Sequence, residues 1–285
     1  MTDYDFLAAR APLHVVIFTG GDFPRPELTC RYWKRRAVDY VIAADSGFDT
    51  AQKYIEYFSH NDAIDFSPDV ILGDFDSIAD KNALLSYGSI VETFDSAKDF
   101  TDTELAFFRA YELATEQGRE PFITLVGGSG GRIDHTIALY DSFASACHAY
   151  VWLTPQQAVY FLAAGKTARV TGLATRDVLS VARTTESRRS GALFSHGLRW
   201  EHFRSSGMPS ISNCISNECD RHEFDGREKA TVHAGAASCG AEKIAVPQDA
   251  HGTHVVSLTA QGAPFLLIVP LNAEVSIILR LQENL

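Results

Sequence analysis

Between Leu13 and Thr154 the hydrophobic period of the chain switches repeatedly, and that switching constrains the fold more than any other feature. Short β-branched runs (LHVVIFTGG, YVIAADS, DVILGDFDS, SIVETF, FITLVGG and AYVWLT) alternate with longer segments whose apolar residues recur at helical spacing. A strand followed by a helix and then another strand needs a crossover, and repeated crossovers build a parallel sheet covered by helices. Helices are expected over Glu27–Ala37, Phe48–Phe58, Thr103–Glu116 and Arg132–Cys147, with a short one ending near Tyr87. After Thr154 the pattern becomes short strand-like runs between turn residues, among them QAVYFLAAG, ARVTG, VLSVART, HVVSLTA and APFLLIVPL. No long helical segment intervenes, which reads as an antiparallel sandwich or barrel. The expected organisation is an α/β domain with a mostly parallel, Rossmann-like sheet over residues 1–154, followed by an all-β sandwich domain over residues 155–285. Ala236–Gly252 follows neither period and reads as a surface insertion.

A length of 285 residues suits two domains, and 46% hydrophobic with 21% charged residues is enough apolar content for packed cores. The formal charge of -11 repels nucleic-acid phosphates and anionic lipid, so neither is an expected partner. The most apolar stretch, Ala263 to Leu271, is interrupted by Pro264 and Pro270 and falls far short of the roughly 20 residues that span a bilayer. The first residues lack the basic start and apolar core of a secretory signal, and the five cysteines do not form a disulfide framework, so the expectation is a cytoplasmic protein. Cys214 and Cys219, with His222 and His233 nearby, do not have the spacing of a structural zinc site.

The chemistry is concentrated at the ends of the predicted strands. In GDFDS, Asp74 and Asp76 lie two apart, so continued strand alternation would aim both carboxylates at one face and Phe75 at the other. Paired hard oxygen donors beyond the carboxyl end of a parallel strand suit Mg²⁺ held against phosphate; a solvated turn rich in aspartate is the plainer alternative. AADS places Asp45 at the end of another strand, and KDFTD places Asp99 and Asp102 at the mouth of a helix. Thr101 and Glu104 fit a capping box, which gives Thr101 a structural explanation. Capping does not explain four carboxylates, Asp45, Asp74, Asp76 and Asp102, on one rim, where their mutual repulsion requires a cation.

In LVGGSGGRIDH, Gly127, Gly128, Gly130 and Gly131 separate a strand from a helix. Such a loop can turn its N–H groups toward an anion at a helix N-terminus, although a tight strand-to-helix turn explains it as well. It is neither a dinucleotide fingerprint nor a Walker A loop. Arg132 can fork onto phosphate, and His135 is either a ligand contact or a structural first-turn histidine. In the second half, Trp200 by itself reads as core.

In this order, AADSG, GDFDS, KDFTD, GGSGGRIDH, GLRW and SNE resemble the thiamin pyrophosphokinase family, from the first strand to about Leu271. The resemblance implies a nucleotide-binding α/β domain, a thiamin-binding β-sandwich, and a homodimer with active sites between subunits. It further implies Mg²⁺-dependent transfer of a diphosphoryl group from ATP, the co-substrate, to thiamin, giving thiamin diphosphate and AMP. It assigns Asp74 and Asp76 to Mg²⁺, with Asp45 and Asp102 completing the acidic rim, and Asp99 to a polar active-site position. Ser129, Gly130, Gly131, Arg132, Asp134 and His135 fall in the nucleotide-binding stretch. Trp200 matches an aromatic that packs on the thiamin rings, and Ser216 and Asn217 match positions that hydrogen-bond the aminopyrimidine. Ser46 stands where the family commonly has glycine. A diphosphokinase for another hydroxymethyl heterocycle such as a pterin, a non-catalytic nucleotide-binding regulatory protein, and a hydrolase with Asp74 as phosphoryl acceptor are the competing readings.

Overall fold

The computed structural model describes residues 11–61, 64–76, 78–80, 82, 84, 88–174, 177–185, 191–198, 213–214, 218–219, 244–245 and 254–279. The chain divides into two compact units, one ending at Phe161 and the other beginning at Leu162.

In the first unit, six strands run β1 (Leu13–Phe18), β2 (Tyr40–Ala44), β3 (Val70–Gly73), β4 (Ile90–Thr93), β5 (Pro121–Val126) and β6 (Val151–Leu153). They are hydrogen-bonded in the order β6-β5-β1-β2-β3-β4, all parallel. β7 (Gln157–Leu162) turns back antiparallel on β6. Among the described residues four helices lie in the crossovers: α1 (Pro26–Trp33), α2 (Gly47–Asn61), α3 (Asp102–Glu116) and α4 (Ile133–Ser142). The chain therefore steps outward from β1 to β4 and returns to β5 on the other side of β1. The loops after β1 and β5 part at this reversal, the place where open α/β sheets bind ligands.

α1 and α4 are shorter than their hydrophobic pattern suggests. α1 stops at Trp33, before the basic run Lys34–Arg36, and α4 stops at Ser142. The predicted short helix ending near Tyr87 falls largely outside the described residues.

β1 is buried along its whole length, as expected for a central parallel strand. Trp33, Phe18, Tyr54, Phe58 and Phe66 form an aromatic cluster, with ring centroids 5.0 Å apart for Phe18–Tyr54 and for Trp33–Phe66. The two polar handles in this cluster are satisfied. Trp33 Nε1 donates to Thr29 Oγ1 at 2.8 Å, and the Tyr54 hydroxyl donates to Pro24 O at 2.9 Å, which pins the loop after β1. Between β1 and β5, His14 is 1% exposed and holds Ala37 O and Thr124 Oγ1, each at 2.9 Å. Burial lowers the His14 pKa from 6.5 to about 4.

The second unit is built of strands among its described residues. β8 (Lys166–Leu173) is flanked antiparallel by β14 (His254–Gln261) and β16 (Glu274–Leu279), and β10 (Ala192–His196) adds to β14. In a further antiparallel run, β9 (Val178–Arg183) pairs with β11 (Asn213–Cys214) and with β15 (Phe265–Pro270). β12 (Glu218–Cys219) pairs with β13 (Ile244–Ala245), so the stretch read as an insertion carries one short strand. A mostly parallel mixed sheet and an antiparallel sheet are thus both present, in the chain order the sequence pattern indicates. Among the described residues, no helix is long and apolar enough to cross a membrane.

Candidate active site

Within the first unit a cleft of about 630 Å³ opens over the carboxyl ends of β1, β2, β3 and β5. One wall is acidic. Carboxylate oxygens of Asp45, Asp74 and Asp76 all lie within 4.8 Å of one another. Three like charges so close favour a bound cation, and hard oxygen donors at this spacing fit Mg²⁺.

The geometry behind this convergence differs from simple strand alternation. β3 ends at Gly73, and Phe75 adopts a left-handed conformation (φ 59). A tight turn, in which the Asp76 N–H reaches Asp74 Oδ1 at 3.3 Å, brings the two carboxylates together. A bulky residue in that backbone region costs on the order of 1–3 kcal/mol. The Phe75 ring is buried with Ala43, Phe48, Ile71, Ile78 and Leu84, and burial of that size contributes about 2–3 kcal/mol, enough to hold the turn. Asp45 is also left-handed (φ 47); its N–H donates to Leu72 O at 2.8 Å, and its carbonyl accepts from Phe48 N at 2.9 Å as α2 begins. Strand end and helix start together fix it.

Gly73, overlooked in the motif reading, sits under this arrangement. It has φ 144, and a Cβ there would press on Asp45 at 3.2 Å and on Asp102 Oδ1 at 3.3 Å. The sequence signal is the glycine that closes VILG directly before the paired aspartates. Ser46 lodges its hydroxyl against Gly20, whose missing side chain leaves the room.

Asp102 lines the cleft but stands apart from the three-carboxylate group. It opens α3, where Thr101 and Glu104 form the expected capping box: Glu104 N–H donates to Thr101 Oγ1 at 3.2 Å, and Thr101 N–H to Glu104 Oε2 at 2.8 Å. Thr19 at the end of β1 ties down the same turn through Thr103, hydroxyl to hydroxyl at 2.7 Å. The charge partner of Asp102 is Lys98, with Nζ 3.1 Å from Oδ1. Burial raises the Asp102 pKa above the ordinary carboxylate range, and Lys98 opposes that rise. Lys98 was also missed, although it lies in the same KDFTD string, four residues before Asp102. Asp99 is exposed and does not line the cleft.

The glycine loop divides in two. Gly127 N–H donates to Leu153 O at 3.1 Å and Gly128 N–H to Gly20 O at 2.7 Å, so neither is available to an anion. Gly127 has φ 98, and a Cβ there would lie 2.5 Å from Thr19 O. Ser129 pairs with Asp22: Asp22 N–H donates to Ser129 O at 2.6 Å and Ser129 Oγ to Asp22 O at 3.0 Å. These residues join the loops after β1 and β5. Gly130, Gly131, Arg132 and His135 line the cleft. Asp134 is exposed and accepts from Arg132 Nε at 3.2 Å, which holds the Asp134 carboxyl below its ordinary range. Trp200, Ser216 and Asn217 lie outside the described residues, as do His222 and His233.

Residues 30–150 match the family model for the thiamin pyrophosphokinase catalytic domain. The match covers β2 to β5 and every described aspartate of the rim. Among solved structures, thiamine pyrophosphokinase from Bacillus subtilis aligns at 17% identity with a TM-score of 0.57, covering 90% of this chain and 98% of that one. Thiamin pyrophosphokinase from Candida albicans aligns at 15% identity with a TM-score of 0.57, covering 91% and 89%. The enzyme from Geobacillus thermodenitrificans aligns at 17% identity with a TM-score of 0.56, covering 90% and 97%. At these identities the likeness shows a shared fold. No curated protein matched by sequence.

Proposed function

We propose that the protein is a thiamin diphosphokinase, transferring a diphosphoryl group from ATP to the hydroxyl of thiamin to give thiamin diphosphate and AMP. The observation that carries the reading is the convergence of Asp45, Asp74 and Asp76 on a cleft that also holds Gly130, Gly131 and Arg132, inside the segment matched by the catalytic-domain model.

Asp45, Asp74 and Asp76 would hold Mg²⁺, which when bound supplies neutralising charge to phosphate oxygens. Asp102 lines the same cleft outside that group, paired with Lys98. Gly130 and Gly131 would present backbone N–H groups, and Arg132 its planar fork, to the nucleotide phosphates. His135, in the first turn of α4, lines the same space. The reaction forms a bond from the thiamin oxygen to the β-phosphorus, breaks the bond from that phosphorus to the α–β bridging oxygen, and releases the hydroxyl proton. The transition state is loose, so positioning and charge placement carry the catalysis.

Trp200, Ser216 and Asn217 are assigned to thiamin recognition, in a second domain read as a β-sandwich. A cation–π contact suits the permanent charge of the thiazolium ring. A cytoplasmic homodimer completes the proposal. The test is to incubate the purified protein with ATP, Mg²⁺ and either thiamin or a hydroxymethylpterin, then separate the nucleotides. AMP formed only with thiamin supports the reading; AMP formed with the pterin, or with neither compound, rejects it.

A further inference from the structure

Lys98 and Arg132 are the lysine and arginine among the described residues lining the cleft, and they are differently placed. The Arg132 side chain is 73% exposed and tied to Asp134, whereas that of Lys98 is 16% exposed and reaches into the acidic wall. Its Nζ lies 3.1 Å from Asp102 Oδ1 and donates to Asp95 O at 3.2 Å. Asp102 Oδ1 is fully buried and receives no well-directed hydrogen bond, so Lys98 meets it as a charge rather than through a fixed fork. A lysine on a four-carbon stem can leave such a partner at modest cost and bind a phosphate oxygen as a point charge.

We propose that Lys98 is an exchangeable counter-cation: it neutralises Asp102 while the cleft is empty and moves to a phosphate oxygen when a metal–triphosphate enters. The assignment rests on the functional reading above for the identity of the ligand. It makes Lys98 a positioning residue that opposes binding of the bare metal and favours the metal–nucleotide. A residue that only supported the fold would affect both ligands in the same direction.

The test uses the full chain and needs neither thiamin nor turnover. Mn²⁺ alone is titrated into the metal-free protein, and α,β-methylene-ATP, whose reacting bridge cannot break, is titrated in the presence of Mg²⁺. Lys98→Met is expected to bind Mn²⁺ about three- to tenfold tighter and the analogue about tenfold weaker, the scale of one partly screened charge. Lys98→Arg, which keeps the charge, should stay within about threefold of the parent for both ligands. Should Lys98→Met fail to fold, Asp102→Asn decides: it removes one negative charge and frees Lys98. That variant should weaken Mn²⁺ about threefold and leave the analogue as tight or tighter. Parallel weakening of both ligands, or no change in either, in whichever variant folds, overturns the proposal. A protein that shows the split yet makes no thiamin diphosphate keeps Lys98 in this role and loses the thiamin reading. An active enzyme without the split loses only Lys98.

Discussion

The aspartate rim and the glycine loop border the same cleft, yet they spend their polar groups in opposite ways. In the rim, two residues with left-handed backbone, Asp45 and Phe75, hold three carboxylates close together with their charges uncompensated by one another. In the loop, Gly127, Gly128 and Ser129 commit their N–H, carbonyl and hydroxyl groups to Leu153, Gly20 and Asp22. A glycine-rich loop beside a helix N-terminus is thus mostly a joint between β1 and β5, with ligand-facing groups only from Gly130 onward. The rim is strained toward a ligand, and the loop is satisfied without one.

The largest predicted effect tests the rim. Replacing Asp74 or Asp76 by Asn should lower turnover about 10²- to 10³-fold or more, with circular dichroism unchanged, because charge placement at the phosphates dominates the barrier. Near-normal turnover at saturating Mg²⁺ would reduce the rim to a solvated turn.

The base on which the loop stands should respond to acid. His14 bonds Thr124 of β5 and is held neutral, so between pH 6.5 and about 4 the unfolded chain binds the proton that the folded chain refuses. The stabilisation is therefore fully present above the unfolded value and falls as the pH drops through that window, by about 3 kcal/mol. Denaturant melts at pH 7 and pH 4.5 should show a difference that His14→Gln reduces.

Substitutions within the loop should separate its halves. Gly127→Ala forces a Cβ against Thr19 O in a left-handed backbone and should cost about 2 kcal/mol of stability. Gly131→Ala has open space at its Cβ and should cost about 1 kcal/mol, with its main effect on nucleotide KM. Equal effects on stability and KM at both positions would erase the distinction. The smallest change is at the entrance to α3. Thr101→Ala removes the N-cap and should cost about 1 kcal/mol in the same melts, with a minor effect on KM.

The α/β order was legible in the sequence because a buried parallel strand and its covering helix have different hydrophobic periods, and the capping box was legible because it is local in the chain. Asp45, Asp74 and Asp76 could be named from position, since strand ends in a parallel sheet share one edge. Their mode of convergence could not. It depends on a left-handed Phe75, a conformation stabilised by packing from α2 and β3 that no single motif encodes. The two explanations of the glycine loop could not be separated for a related reason: glycine signals conformational freedom, but whether its N–H faces a ligand or Gly20 O is decided by a loop more than 100 residues earlier in the chain. Lys98 was hidden by its company, because a lysine in an acidic string reads as a solvated charge until its burial is known.

Direct measurement of Mn²⁺ binding to the metal-free protein bears most closely on the rim. A saturable site whose affinity falls at least about tenfold in Asp74→Asn is predicted, since one of three converging carboxylates is replaced by an uncharged amide, a weaker donor to a hard cation. Equal binding by the parent and Asp74→Asn, or no binding by either, would contradict it.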